Sequence, residues 1–167
     1  IVEALLRFTG DDEIIAKLEM WRLRNISGAY VGDPMDLVPL YIDYLGRFSG
    51  RPALLDSAIS DLIELTGTLD DEVAVGKLEN IQADYPEHGN LAVAALYEQG
   101  ERFYKSSQME LAEWKYRAII NDFREFPIFR FLAFERLGDL RLAESDLQVA
   151  DASFDSARHY LGHIESY

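Results

Sequence analysis

A pattern of small and aromatic residues that returns every 38 positions constrains this chain more than any other feature. Between Leu91 and Pro127 two amphipathic helical patterns are joined by Ser106-Ser107. Leu96, Gly100 and Phe103 share one face of the first pattern. Ala112, Tyr116, Ile119 and Phe123 share one face of the second. Small residues at Gly100 and Ala112 let two helix backbones approach, and the large ones fill the seam. Thirty-eight residues on, Phe134, Gly138, Ala150, Phe154 and Ala157 take the places of Leu96, Gly100, Ala112, Tyr116 and Ile119. Thirty-eight residues back, Ala58, Ala74, Leu78 and Ile81 do so, with Leu62 in place of the glycine. A helix pair of this kind cannot bury its apolar face alone. Its copies must stack, and the fold expected is a helical-repeat array.

The helix boundaries follow from local signals. Ile1–Phe8 reads as helical, and Thr9-Gly10-Asp11-Asp12-Glu13 as caps for a helix from about Asp11 to Ser27. Ile14, Leu18, Trp21 and the stem of Arg22 are expected on its buried side. Gly28–Asp33 breaks the chain before Pro34. The next helix begins near Asp36, because Pro39 is tolerated only in a first turn. It ends at Ser49-Gly50, with Leu40, Tyr44 and Phe48 on one face beside Tyr41 and Leu45. Repeat hairpins are then expected over 52–86, 90–127 and 128–163, with residues 1–50 as degenerate N-terminal helices. Thr68 or Asp70 caps the second helix of the first hairpin, and Tyr85-Pro86 closes it. Phe126-Pro127 comes three residues later in the next copy, which predicts a longer second helix there. The sum is about eight helices in a single domain, with no strand-like alternation.

These residues resemble the tetratricopeptide repeat, whose signature is a large apolar residue, Gly, an aromatic, then Ala, an aromatic and Ala. Phe134, Gly138, Ala150, Phe154 and Ala157 keep the family's internal spacings. The middle copy has Ile119 where Ala is usual, and the first is degenerate. The likeness covers roughly Leu55 to Leu161. The family's unit is 34 residues, so each unit here carries about one more helical turn. The longer units and Tyr-Pro or Phe-Pro endings are similar to tetratricopeptide proteins of the Gram-negative envelope, which suggests a bacterial cell-envelope setting. The resemblance implies an all-α, right-handed solenoid of antiparallel hairpins whose first helices line a concave face. It implies a non-enzymatic scaffold or adaptor that binds a protein or peptide. The family's groove positions fall on Ala94, Tyr97, Glu101, Tyr104 and Lys105, and on Leu132, Glu135, Asp139 and Leu142. Glu101, Glu135 and Asp139 stand where a carboxylate-clamping groove needs Lys, Arg and Asn. Acid with tyrosine suits a basic or apolar segment, extended or helical. Reversing Glu101 and Asp139 is expected to change binding and leave the fold intact.

Charge and composition narrow the partners. Thirty acidic residues against sixteen basic ones give −14, which disfavours phosphate backbones and anionic lipid. No cysteine is present, so disulfides and thiolate chemistry are excluded. No apolar run is long enough to span a bilayer. The chain starts at Ile1 and ends inside a helical pattern, so a longer natural protein is expected. Failing that, its last copy should pack on another chain. There is no Gly-rich phosphate loop, His-Glu-x-x-His or calcium loop, so neither enzyme activity, cofactor nor metal is predicted. His159 and His163 share a helix face at chelating spacing. The preferred reading is an exposed pair near a helix C-terminus. Trp114 is expected to pack on the next hairpin with Leu111 and Ala118, and Trp21 to lie in the N-terminal core. Two other readings remain: an assembly segment of a larger protein, and an enzyme or sugar-binding helical array.

Overall fold

A computed structural model describes residues 12–48 and 52–164, which are mostly helical and carry no strand. Eight α-helices appear among them: α1 (Asp12–Ala29), α2 (Val38–Arg47), α3 (Pro52–Glu64), α4 (Asp71–Asp84), α5 (Gly89–Lys105), α6 (Met109–Asp122), α7 (Pro127–Ala143) and α8 (Leu147–Ile164). Short 3-10 turns precede α2 (Pro34–Leu37) and follow α3 (Leu65–Thr68). The helix expected over Ile1–Phe8 and the turn at Ser49-Gly50 lie outside the described residues. The chain divides into two compact units, Ile1–Thr68 and Leu69–Tyr167. The division falls inside the first expected hairpin, 52–86.

In the first unit α1, α2 and α3 each pack on the other two. Asp33 caps the 3-10 turn by accepting from the Met35 amide at 2.9 Å, and α2 starts with Pro39 in its first turn. Tyr41, Tyr44, Leu45 and Phe48 are buried as expected, whereas Leu40 is exposed. The Tyr44 hydroxyl donates to the Ala16 carbonyl at 3.2 Å, which satisfies a polar group taken out of water. The face α1 buries is not the expected one. Ala16, Met20 and Leu23 are inside, while Ile14 is 47% exposed and Trp21 56%. Arg22 is also exposed. The cause lies in the segment from Ile14 to Ile26, which has apolar residues around most of its circumference. A helix so patterned fixes its own rotation poorly, and its neighbours choose the face.

In the second unit the backbone itself repeats every 38 residues. The helices α4, α6 and α8 start at Asp71, Met109 and Leu147, and α5 and α7 at Gly89 and Pro127. The Ala74, Ala112 and Ala150 amides donate to Asp70, Gln108 and Asp146 carbonyls at 2.8, 3.1 and 3.0 Å. Asp70 is the cap of α4, its carboxylate accepting from the Glu72 amide. The turns match as well. Gln108 donates to the Phe103 carbonyl at 2.8 Å, and Asp146 to that of Arg141 at 2.9 Å. Such a bond closes a helix end through one left-handed residue. Here Ser107 (φ 62°) and Ser145 (φ 64°) supply it.

The second helix of the middle copy is not longer. Both α4 and α6 have 14 residues, ending at Asp84 and Asp122, and the next residues, Tyr85 and Phe123, leave helical geometry with nearly equal angles. Pro127 opens α7 rather than closing α6, because proline fits a first helical position and pushes Phe126 out of the helical region. The extra length over a 34-residue unit therefore does not lie in α6.

In the second and third copies the seam is where the pattern put it. Ala74, Leu78, Ile81, Leu96, Gly100, Ala112, Tyr116, Ile119, Gly138, Ala150 and Ala157 are all buried. A Cβ on Gly100 would stand 2.6 Å from Cε1 of Tyr116, and one on Gly138 would collide with Phe154. Consecutive helices pack together from α4 to α8, and α5 also touches α7. One core links Val93 and Leu96 of α5, Ala112, Tyr116 and Ile119 of α6, and Ala133, Leu137 and Leu140 of α7. Trp114 does not join a hairpin interface. It is 61% exposed, with Leu111 exposed beside it. Lys115, one residue on, is buried with its ammonium 4.7 Å from the Trp114 ring and 3.1 Å from Glu79.

Candidate functional site

The contact between α5 and α7 brings together part of the expected groove. Glu101 of α5 sits at its centre, with 12% of its side chain exposed. It accepts from Arg136 of α7 twice, Nε to Oε1 at 2.6 Å and Nη2 to Oε2 at 2.9 Å. The Tyr116 hydroxyl donates to the same Oε1 at 2.8 Å. The third Arg136 nitrogen, Nη1, donates to Asp139 Oδ2 at 3.1 Å. A planar guanidinium suits this fork-to-fork geometry, and a lysine there would lose it.

Aromatic rings enclose the charges. Tyr97 lies 6.0 Å from Tyr116 and 6.1 Å from Phe129 between ring centroids. The guanidinium carbon of Arg136 stands 5.8 Å from the centre of the Tyr104 ring. The Tyr97 phenol is pushed up to about 12, first by burial and then by the adjacent Glu101 carboxylate. The Tyr116 phenol is raised further, by burial and by its hydrogen bond to Glu101. Both stay protonated, and Tyr116 remains a donor at any ordinary pH. The hydrogen bonds to Glu101 likewise hold Arg136 in its charged form.

The other expected groove residues divide by exposure. Ala94 is buried, so it forms floor rather than contact surface. Leu132 and Glu135 are half-buried on α7. Lys105 and Leu142 are exposed at the ends of their helices. Glu101 differs from a free groove acid, since Arg136 neutralises it. The sequence reading missed Arg136, and a signal was present. In a strongly acidic chain, one arginine between Glu135 and Asp139 on a helix next to Glu101 is the natural counter-ion. The Tyr116 hydroxyl was missed because the repeat pattern asks only for an aromatic ring there.

His159 is exposed, with its ring edge-on to Tyr160, and no group of three or more metal-ligating side chains occurs among the described residues. No helix among them is long and apolar enough to cross a membrane. No protein-family model matches the chain, and comparison with curated proteins and with solved structures returns no match. What the fold defines is an all-helical protein whose second unit is built on a 38-residue period.

Proposed function

We propose that this chain is a non-enzymatic interaction module, a right-handed solenoid of antiparallel helix pairs of the tetratricopeptide type. Its first helices, α5 and α7, present a polar-aromatic strip to a partner polypeptide segment, extended or helical. The observation that carries this reading is the strip itself. Tyr97, Tyr104, Glu135 and Asp139 are part-exposed around a Glu101–Arg136 pair that bridges two successive first helices. A rigid, aromatic, hydrogen-bonded surface suits a binding face, because little side-chain freedom is lost when it is covered. Glu101 already accepts three hydrogen bonds, so it organises the strip rather than transferring protons. With Glu101 and Arg136 cancelling, the charge left over comes from Glu135 and Asp139 on α7. A basic side chain of the partner belongs there, and apolar ones belong over Tyr97 and Tyr104.

The test is affinity capture of partners by the full chain against Tyr104→Ala and Glu135→Lys variants of unchanged melting temperature. Tyr104→Ala should weaken binding of a captured partner by about 1–2 kcal/mol. Glu135→Lys should slow its association, most at low salt. Binding that survives both but is lost with Trp114→Ala would place the partner on the second helices and end the strip reading.

A second reading, an assembly segment, draws on a different observation. Tyr104 and Met109 pack partly against the core, while their counterparts 38 residues on, Leu142 and Leu147, are exposed. Concentration-dependent light scattering that Leu142→Glu with Leu147→Glu abolishes would favour this reading.

A further inference from the structure

We propose that the first unit holds a binding site for an alkylammonium group, a cationic nitrogen on an apolar stem. The site is a cavity of about 430 Å³ built from α1, the 3-10 turn before α2, α2 itself and the end of α3. That volume is in the range small organic ligands occupy, roughly 300–1,000 Å³. Its lining decides which ligands fit.

Tyr41 is almost wholly buried and reaches the cavity with its hydroxyl 3.0 Å from Ser27 Oγ. One of these hydroxyls donates to the other, which leaves lone pairs to accept from a ligand. Tyr30 and Leu37 supply aromatic and aliphatic walls. Among the described residues of the lining Arg24 is the cation, and two of its three nitrogens are engaged. Its Nε and Nη2 donate to both oxygens of Asp61 at 2.6 and 3.0 Å, and Nη2 also donates to Ser57 Oγ at 2.7 Å. The pair is neutral as a unit.

Glu64 is what remains. It is exposed, lies three residues beyond Asp61 on α3, and makes no ion pair among the described residues. The Tyr41 phenol is raised chiefly by burial; its hydrogen bond to Ser27 and the Arg24 charge oppose the rise, and the Asp61 carboxylate, then Glu64, add to it. Among its described lining residues the cavity therefore carries the Glu64 charge beyond the Arg24–Asp61 pair, with hydroxyl acceptors and an apolar-aromatic wall. An anion would meet the Glu64 and Asp61 carboxylates, and the lining guanidinium already donates to Asp61 through Nε and Nη2. A purely apolar ligand would cover the Ser27–Tyr41 pair without a partner for its lone pairs, which is costly. An ammonium can lie between Glu64 and the hydroxyls while its stem runs along Tyr30 and Leu37, where a ring face also favours a cation.

The nitrogen can come from a free amine or from a lysine side chain of a partner. This site lies within the first unit and is independent of the strip on α5 and α7.

The test titrates the full chain with n-hexylammonium, n-hexanol and hexanoate, following NMR shifts of Tyr30 and Leu37. Hexylammonium should bind at least about five-fold more tightly than hexanol, and hexanoate more weakly than both. Glu64→Gln should lower hexylammonium affinity about five- to ten-fold and leave hexanol binding and the melting temperature unchanged. Glu72→Gln, which removes an acid from the other unit, should leave it unchanged. A lysine-containing peptide that outcompetes hexylammonium, and fails to once its lysine is acetylated, assigns the nitrogen to a protein partner. Competition by the free amine alone assigns it to a small molecule. Equal binding of hexylammonium and hexanoate, wild-type affinity in Glu64→Gln, or no shift with any of the three probes would overturn the proposal.

Discussion

The helix pairs α5–α6 and α7–α8 have one backbone and two different interiors. Gly100 meets Tyr116 in the first pair, and Gly138 meets Phe154 in the second. Tyr116 is fully buried, and its hydroxyl is tied to Glu101. Phe154 is only part-buried and has no hydroxyl to tie. Asp139 occupies the position of Glu101 and is about three times as exposed. The difference traces to the neighbour. Arg136, which closes the network over Glu101, comes from α7, the first helix of the following pair. Seam geometry is thus a property of each pair, whereas the polar network belongs to the junction between pairs.

The largest expected effect breaks the seam. Gly100→Leu forces atoms into a ring that packing and a hydrogen bond hold in place, and should cost about 3 kcal/mol. Gly138→Leu should cost about 1–2 kcal/mol, because Phe154 has solvent on one side and can give way. Better helix propensity returns up to about 1 kcal/mol in both. Urea melts of the two variants check the ranking. Equal losses would mean that Tyr116 is no better anchored than Phe154.

Charge reversal tests the junction. Glu101→Lys sets a cation beside Arg136 and strips Tyr116 of its acceptor, at a cost of about 2–3 kcal/mol for a mostly buried pair. Asp139→Lys, at a position more than a third exposed, should cost less than about 1 kcal/mol. The two reversals are therefore not equivalent, although both were expected to spare the fold. Thermal melts in low salt decide it, and a Glu101→Lys variant as stable as Asp139→Lys would dissolve the network.

Legibility followed periodicity. The 38-residue period, the Gly100 and Gly138 seams, the buried Ala74, Ala112 and Ala150 and, as one of two candidates with Thr68, the Asp70 cap are legible, because each is dictated by a local steric or hydrogen-bonding demand. The length of α6 is not legible, because a proline can mark either the end of the helix before it or the start of the helix after it, and Pro127 does the second. Ile14, Trp21 and Trp114 are expected inside because large apolar residues usually are, yet such residues also remain on folded surfaces, as these three do. For the strip, Tyr97, Glu101, Tyr104 and Asp139 come from the groove positions that the tetratricopeptide resemblance implies. Arg136 does not, since an ion pair across helices 35 residues apart leaves no periodic trace.

Alkali should loosen the first pair before the second. Unfolded tyrosine ionises near pH 10, while Tyr97 in the folded chain holds its proton to about 12. A raised folded value means that its contribution is complete below pH 10 and is lost as pH rises toward 12. Tyr116 shifts in the same direction. The corresponding positions in α7–α8 are Glu135 and Phe154, which have no phenol to titrate. Hydrogen exchange should therefore show α5 and α6 losing protection between pH 10 and 12 ahead of α8. Simultaneous loss would show that the tyrosines do not control the opening.

The smallest effect should be the same in both pairs, and for that reason it sharpens the comparison. Ser107 and Ser145 adopt left-handed backbone angles in turns with matching hydrogen bonds. A residue with a Cβ is disfavoured there by roughly 1–2 kcal/mol, and glycine is not. Among the described residues neither serine hydroxyl has a hydrogen-bond partner that the change would remove, whereas Ser106 next door bonds the Arg102 carbonyl at 2.8 Å. Glycine gives back part of the gain through the greater freedom of its unfolded chain. Ser107→Gly and Ser145→Gly should each stabilise by about 0.5–1 kcal/mol, and the double variant by the sum, since the two turns share no partners. Ser106→Gly is the control and should destabilise. If Ser107→Gly and Ser145→Gly differed by more than about 0.5 kcal/mol, the two turns would not be energetic copies, and the 38-residue period would describe shape without describing stability.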